Sequence, residues 1–329
     1  MRTFETLMAA SLILAASGGA SVLTQSEWTT PGADGPLRAP DGAFSEAAGI
    51  DWWSEPGMLR LGFHPLCHGI SMIPGGVSDI LCRDMDCDGD SDIVACGPAA
   101  GLVIYENAGA GGSFRIHPLL DPGEPGPERL VCGDFDADGD PDLAGTSRGD
   151  GSLRWWENAG ADTWPLRELD PGAGVPYPLD AADLDGDGDI NLLVATWETG
   201  ELVALENGRS NGGWTRKPIS SCLPEPSWVE AASEGGVLVA ASPACSAVEI
   251  FELRDGSWSS GDRVEAEGPL CAIPADMDGD GRQDLLACSS GEEGIFWLPL
   301  FRNGSRVSVS RLMMAPARLR ATDIDGDGD

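Results

Sequence analysis

One nine-residue stretch, Asp134 to Asp142, limits what this chain can fold into, because it recurs along the sequence. Its first, third, fifth and ninth positions are acidic: Asp134, Asp136, Asp138 and Asp142. These carboxylates converge only if the backbone curls around a point, and Gly139 at the sixth position permits that curl. The seventh residue, Asp140, would add its main-chain carbonyl. Since like charges so close together repel one another, the loop requires a cation at its centre.

Four further stretches share this pattern, so the five loops span 84–92, 134–142, 183–191, 276–284 and 323–329. Their predicted ligands, besides those of the second loop, are Asp84, Asp86, Asp88, Asp90 and Asp92; Asp183, Asp185, Asp187, Asp189 and Asn191; Asp276, Asp278, Asp280, Arg282 and Asp284; and Asp323, Asp325, Asp327 and Asp329. A shell of roughly six to eight oxygen ligands is typical of Ca²⁺. The sequence therefore predicts about one structural Ca²⁺ per loop.

Two loops depart from the pattern in different ways. Asn191 replaces the ninth-position Asp of the third loop, whereas Arg282 occupies a seventh position that uses only its carbonyl. We expect the first change to weaken calcium binding more. Apolar strand-like residues, such as Ile93 to Ala95, follow the loops, which disfavours the helices of an EF-hand or a dockerin.

The spacing of the loops indicates a repeat. They begin at Asp84, Asp134, Asp183, Asp276 and Asp323, and the third interval, between Asp183 and Asp276, is about twice as long as the others. A copy without Asp ligands fills it near 229–240, as a strand, a Gly-Gly turn and a second strand. Four short strands per copy, repeated at ~40 to 50 residues, are typical of propeller blades. We predict an all-β fold, a β-propeller of seven blades with four antiparallel strands each.

The loops 84–92, 183–191 and 276–284, each followed by an apolar strand, resemble those of the FG-GAP/VCBS repeat family. A Glu-Asn turn, as at Glu106-Asn107, adds to the resemblance. That family's fold is the β-propeller also found in integrin α heads, and the resemblance implies that each loop joins the first two strands of a blade and holds one Ca²⁺. Clear Phe-Gly and Gly-Ala-Pro landmarks are missing, so the chain is most similar to secreted bacterial VCBS-type proteins.

The expected domains are a signal peptide (1–24), a linker or degenerate first blade (25–48) and the propeller (49–329). Arg2, the apolar run Leu7 to Ala16 and the small residues that follow are typical of an export signal, which predicts a secreted or cell-envelope protein. No later segment is long and apolar enough to be transmembrane. Because the fifth loop stops at Asp329, we expect the last blade to be truncated.

The charge restricts the possible binding partners of the protein, and the cysteine content bears on its cellular compartment. The net charge is −34, and the loops hold about two fifths of the 54 acidic residues. Without clusters of Lys and Arg, binding to nucleic acid or anionic lipid through charge is excluded. Nine cysteines in an exported chain predict some disulfides and at least one free thiol. The alternative is that several, Cys96 and Cys288 among them, are small buried strand residues.

Other residues give weaker signals. Trp155 and Trp156 are neighbours on a predicted strand and point to opposite faces, so we expect them to pack between blades rather than form one sugar site. His64, Cys67 and His68 lack a fourth zinc ligand, and Pro65 prevents a helix there. No nucleophile elbow, metalloprotease motif or phosphate loop is present.

The sequence thus favours a calcium-binding propeller that acts as a binding module, in adhesion or in recognition of an unknown extracellular protein or glycan. The alternative is a polysaccharide lyase or another carbohydrate-active propeller enzyme. A deep pocket with Arg, Lys, Tyr or His, on the face opposite the calcium loops, would favour the enzyme. A third possibility is a purely structural segment of a larger secreted protein.

Overall fold

A computed structural model describes residues 50–55, 58–63, 77–108, 114–120, 124–160, 163–170, 172, 174–208, 213–232, 235–291, 294–300, 306–310 and 319. The chain divides into two compact units. One comprises Met1–His68, Met277–Asp280 and Arg320–Asp329, and in it β1 (Ile50–Glu55) pairs antiparallel with β2 (Met58–Phe63). The other comprises Gly69–Asp276 and Gly281–Leu319.

The second unit contains five antiparallel sheets, which are called sheets 1 to 5 in chain order, each of four strands in sequential order. Sheet 1 contains β3 (Asp79–Arg83), β4 (Asp92–Gly97), β5 (Gly101–Asn107) and β6 (Phe114–Pro118). Sheet 2 contains β7 (Arg129–Gly133), β8 (Asp142–Ser147), β9 (Ser152–Trp156) and β10 (Leu166–Leu169). Sheet 3 contains β11 (Pro176–Ala182), β12 (Asn191–Thr196), β13 (Leu202–Asn207) and β14 (Trp214–Ser220). Sheet 4 contains β15 (Trp228–Ala231), β16 (Val237–Ser242), β17 (Ala247–Arg254) and β18 (Ser257–Glu265), and sheet 5 contains β19 (Pro269–Ala275), β20 (Asp284–Ser289), β21 (Ile295–Leu298) and β22 (Val307–Ser310).

Burial changes from the second to the fourth strand of a sheet. Every residue of β8, β12 and β20 is buried, whereas β10 is mostly exposed. A strand that is buried on both faces reads as a continuous apolar run, such as Leu192 to Ala195, because both of its faces pack against neighbouring layers. The second strands therefore lie inside the unit and the fourth strands lie at its surface.

Each hydrophobic core lies between two successive sheets. One cluster joins Leu102 and Ile104 of β5 to Leu143 and Trp156 of sheet 2, and similar clusters lie between each later pair of sheets. Trp155 faces the other way and packs with Phe135 and Trp214, edge to face. The prediction that the two tryptophans pack on opposite faces of their strand is confirmed. Burying such a side chain removes roughly 150–250 Å² of surface, about 4–6 kcal/mol at ~25 cal/mol per Å².

The first strands of successive sheets are neighbours: β3 contacts β7, β7 contacts β11, β11 contacts β15 and β15 contacts β19. Buried Asp79 of β3 accepts a hydrogen bond from the Leu130 N–H at 3.1 Å. Asp180 of β11 likewise accepts one from the Ala231 N–H at 2.8 Å. Sheets that follow one another around their first strands are blades, so the arrangement is propeller-like.

The predicted all-β fold with four-stranded antiparallel sheets is confirmed, and no residue of the described ranges is helical. In the stretch near 229–240, β15 and β16 flank Gly235 and Gly236, which both have positive φ. The number of seven blades and the truncated last blade stay predictions. In the described part of the chain, no helix could cross a membrane.

No disulfide joins the eight described cysteines to one another, and Cys67 lies outside the described residues, as do His64 and His68. Cys96 and Cys288 are buried strand residues, so the second interpretation of the cysteine pattern fits these two positions. The predicted signal peptide and the segment 25–48 also lie outside the described residues.

Candidate metal centres

The Asp loops connect the first strand of a sheet to the second. In sheet 2 the loop begins directly after Gly133, the last residue of β7, and ends at Asp142, the first residue of β8. The first and third loops connect β3 to β4 and β11 to β12 in the same way. The loops therefore all lie at the same end of their sheets.

Hydrogen bonds curl the loop of sheet 2 around its first carboxylate. Asp134 accepts from the Asp138 N–H and from the Gly139 N–H, both at 3.1 Å. Gly139 has a φ of 101°, in the left-handed region where glycine is unstrained. The first loop repeats this arrangement around Asp84, with N–H donors at 3.1 and 2.9 Å.

The curl brings three carboxylates together in each of the first three loops. Their oxygens lie within 4.8 Å of one another in the groups Asp84, Asp86 and Asp92; Asp134, Asp136 and Asp142; and Asp183, Asp185 and Asp187. In the first two loops these are positions one, three and nine. In the third loop the fifth position takes the place of the ninth.

The electrostatics of these groups fit a hard cation. Burial, together with neighbouring carboxylates, raises the pKa of Asp86, Asp136 and Asp185, although backbone N–H donors partly oppose it. A raised pKa shows that the negative charge is penalised in its surroundings. All the donors are carboxylate oxygens, which suit Ca²⁺ or Mg²⁺ rather than a thiolate-binding metal.

Other predicted ligands do not join the groups. Asp88 and Asp138, at the fifth positions, instead accept hydrogen bonds from the seventh-position N–H groups of Asp90 and Asp140, at 2.8 and 3.0 Å. Asp189, at the seventh position of the third loop, is buried. These carboxylates shape the loop in the structure, and their predicted role as ligands stays a prediction.

The ninth-position Asp anchors the loop to the sheet. Asp142 is fully buried, and its two oxygens accept from the N–H of Phe135 at 3.0 Å and of Asn158 at 2.7 Å. Burial raises its pKa to about 6, against the opposing effect of these two donors. Asp92 makes the equivalent bonds, both at 2.7 Å, with Met85 and Asn107. A side chain predicted only as a ligand is thus also a structural acceptor.

Asn191 fills the same position in the third loop with different chemistry. Its Oδ1 accepts from the Asn207 N–H at 2.9 Å, while its Nδ2 donates to the Asp189 carbonyl at 3.2 Å. One oxygen is therefore replaced by a donor. At this position the third loop therefore has an amide where the first two loops have a carboxylate.

Asparagines of the Glu-Asn turns link successive loops, a role that the sequence did not reveal. Asn158 donates through Nδ2 to the Met85 carbonyl in the loop of the preceding sheet, at 3.0 Å. Asn207 donates in the same way to the Phe135 carbonyl at 2.5 Å. Together with the ninth-position bonds, these contacts form a relay of hydrogen bonds across three sheets. The Asn that recurs in each Glu-Asn turn is the sequence feature that could have indicated this link between loops.

The structure settles less about the last two predicted sites. In the fourth loop, Asp276 accepts from the Gly281 N–H at 2.7 Å and Asp284 is buried, but Met277–Asp280 belongs to the other compact unit. The site 276–284 therefore stays a prediction, and the fifth loop, 323–329, lies outside the described residues.

Sheets that succeed one another around their first strands, with carboxylate groups where the first strand meets the second, define a propeller-like fold whose loops could hold metal ions. The model of the FG-GAP-like repeat family matches residues 84–145 and 134–194. These residues are FG-GAP-like repeats, and the resemblance found in the sequence is confirmed there.

A solved structure shares the fold at low sequence identity. A proposed 6-phosphogluconolactonase from Bacteroides uniformis has a TM-score of 0.54 and 12% identity, covering 76% of this chain and 75% of its own. A protein from Lactobacillus plantarum has a TM-score of 0.49 and 14% identity, covering 69% of each chain. No curated protein sequence matches the chain.

Proposed function

We propose that this protein is an exported, calcium-stabilised β-propeller that acts as a binding module for an extracellular glycan or protein. The observation that carries the calcium assignment is the convergence of three carboxylates at the same place in three successive sheets. Ca²⁺ takes oxygen ligands, and extracellular sites bind it with Kd values of about 10⁻⁴ to 10⁻³ M. Export, which the N-terminal sequence predicts, would keep such sites filled.

Calcium in this protein is structural. The residues that would hold it are Asp84, Asp86 and Asp92 in the first loop, Asp134, Asp136 and Asp142 in the second, and Asp183, Asp185 and Asp187 in the third, with carbonyls completing each shell. Bound Ca²⁺ would supply the positive charge that each group lacks. The ninth-position Asp then connects the ion to buried backbone groups, since Asp142 also accepts from Phe135 and Asn158. Calcium binding and folding are thus coupled.

Thermal unfolding with millimolar calcium, and then with a chelator, tests this assignment. We expect the midpoint to fall on chelation, because each loop regains the repulsion between its carboxylates. Equilibrium dialysis counts the bound ions, and Asp134→Ala should remove one of them. An unchanged midpoint together with no bound calcium would contradict the calcium assignment.

A binding role follows from the position of the calcium. The loops lie at one end of the sheets, so the other end is free of metal and available for a partner. The rival is a carbohydrate-active propeller enzyme, and one observation favours it: Arg129, Arg148 and Tyr177 come together at that other end. Incubation with acidic and neutral polysaccharides, followed by product analysis, distinguishes the two. New reducing or unsaturated ends would favour the enzyme.

A further inference from the structure

Two arginines and three aromatic residues form a cluster at the end of the sheets opposite the Asp loops. Arg129, Tyr177 and Trp228 stand at or next to the starts of β7, β11 and β15, whereas Arg148 and Trp197 directly follow the ends of β8 and β12. A five-residue strand such as β7 separates this end from the loops by roughly 17 Å. We call these five residues the Arg–aromatic cluster.

Contacts between rings and guanidinium groups hold the cluster together. The Arg129 guanidinium lies 5.2 Å from the ring centroid of Tyr177 and 4.8 Å from that of Trp228. Arg148 lies 4.4 Å from Tyr177 and 5.9 Å from Trp197. Since Arg129 belongs to sheet 2 and Trp228 to sheet 4, the cluster lies where the first strands of three sheets converge.

Unlike two neighbouring arginines, Arg129 has no carboxylate partner among the described residues. Arg148 pairs with Glu128 at 2.7 Å and Arg216 pairs with Glu201 at 2.6 Å. No carboxylate of the described residues pairs with Arg129, and its buried Nε has no hydrogen-bond partner there. Acids outnumber bases 54 to 20 in this chain, so a half-buried guanidinium without a carboxylate is unexpected. An unsatisfied buried donor calls for an acceptor from elsewhere.

We propose that the Arg–aromatic cluster binds the carboxylate of an acidic sugar, with Arg129 as its main contact. This proposal names the ligand class of the binding module proposed above and therefore rests on it. A planar guanidinium recognises a carboxylate through two parallel hydrogen bonds, a geometry that few other anions match. The partly exposed Tyr177 and Trp197 supply apolar faces typical of a small-molecule site, while buried Trp228 packs behind Arg129.

The overall charge of the protein restricts the ligand further. At −34, the protein repels a long polyanion, whereas a single carboxylate meets mainly the local field of Arg129, because Arg148 is already paired with Glu128. An oligosaccharide with one uronic acid residue therefore fits better than a continuous polyuronate. An acidic peptide offers the same carboxylate but not the flat apolar faces of a sugar ring.

Calorimetric titration of the full chain in saturating calcium tests the proposal. The probes are a trisaccharide with one uronic acid residue, its neutral methyl ester and an acidic peptide. We expect the acid to bind at least ten times more tightly than the ester and the peptide. Equal binding of acid and ester, tighter binding of the peptide, or no binding of the acid at millimolar concentration would overturn the proposal.

Two matched variants locate the site. Arg129→Met keeps the alkyl stem and removes the charge, so it should reduce affinity for the acid at least tenfold. Arg167→Met is the control, because Arg167 also lies over an aromatic ring, 5.0 Å from the centroid of Trp155, but is paired with Glu157. Equal affinity in Arg129→Met and the unsubstituted protein would place the ligand elsewhere and overturn the assignment.

A folding control and a comparison with the calcium experiment distinguish the possible outcomes. Thermal unfolding shows whether Arg129→Met is folded, and if it is not, the acid-against-ester comparison on the unsubstituted protein decides the proposal. Calcium-dependent unfolding without binding of the uronate would overturn this inference alone. Failure of the calcium experiment would instead count against the function proposed above.

Discussion

The second and third Asp loops differ chiefly at the ninth position, and this one difference changes how the loop is built. Asp142 accepts two backbone N–H groups and joins the convergent carboxylates of the second loop. Asn191 accepts one N–H group and donates to a carbonyl, and the convergent carboxylates of the third loop are those of Asp183, Asp185 and Asp187. The ninth position thus has a structural role beside its proposed role as a metal ligand, and the structural role is kept in part when the charge is lost.

Removing the side chain at the ninth position should give the largest difference in stability between the two loops. Asp142→Ala leaves the buried N–H groups of Phe135 and Asn158 without an acceptor, which should cost about 2–5 kcal/mol of unfolding free energy. Asn191→Ala loses a single acceptor and should cost about 1–3 kcal/mol. Denaturant unfolding in saturating calcium measures the loss of unfolding free energy in each variant. Equal losses would mean that Asp142 and Asn191 contribute equally to stability.

The pH dependence of the calcium-free protein should also separate the loops. The folded pKa of Asp142 is about 6, and its unfolded pKa is about 3.9. Its ionisation therefore opposes folding: the contribution to stability is complete below pH ~4 and is lost as pH rises to ~6, by up to about 3 kcal/mol. Asn191 does not titrate. In chelator, Asp142→Asn should flatten the midpoint–pH curve between these values, and an unchanged curve would contradict the assignment.

The relay between loops predicts an effect at a distance. Asn158→Ala removes the donor to Met85 in the preceding loop and should cost about 1–2 kcal/mol. Hydrogen exchange should also become faster in the first loop, although the substituted residue lies in the next sheet. Glu168→Ala, at an exposed position of β10, is the control. If Asn158→Ala changes exchange only in its own sheet, the loops are not linked through this bond.

The smallest effect is expected from restoring the missing carboxylate. Asn191→Asp should raise calcium affinity at the third loop by up to about tenfold, since affinity follows the number of charged ligands. Calorimetric calcium titration measures it. No gain in affinity would show that Asp187 already replaces the ninth ligand, and the expected penalty of Asn191 would then be wrong.

The sequence by itself determined the repeat and the class of fold. The Asp loops, their common spacing and the ligand-free copy between Asp183 and Asp276 led to blades of four strands, because periodicity and turn residues are local properties of the chain. The same pattern located the carboxylate groups, since positions one, three and nine meet through a curl of nine consecutive residues. The match of 84–194 to FG-GAP-like repeats agrees with that analysis.

Only the tertiary structure decided what lies between sheets. The link from Asn158 to Met85 and the contact of Arg129 with Trp228 join residues of different sheets, so no local pattern encodes them. The double role of Asp142 was hidden for the same reason, because its burial depends on how the second strand packs. Local charge and glycine placement fix a loop, whereas burial and the pairing of side chains across sheets arise only when the sheets pack together.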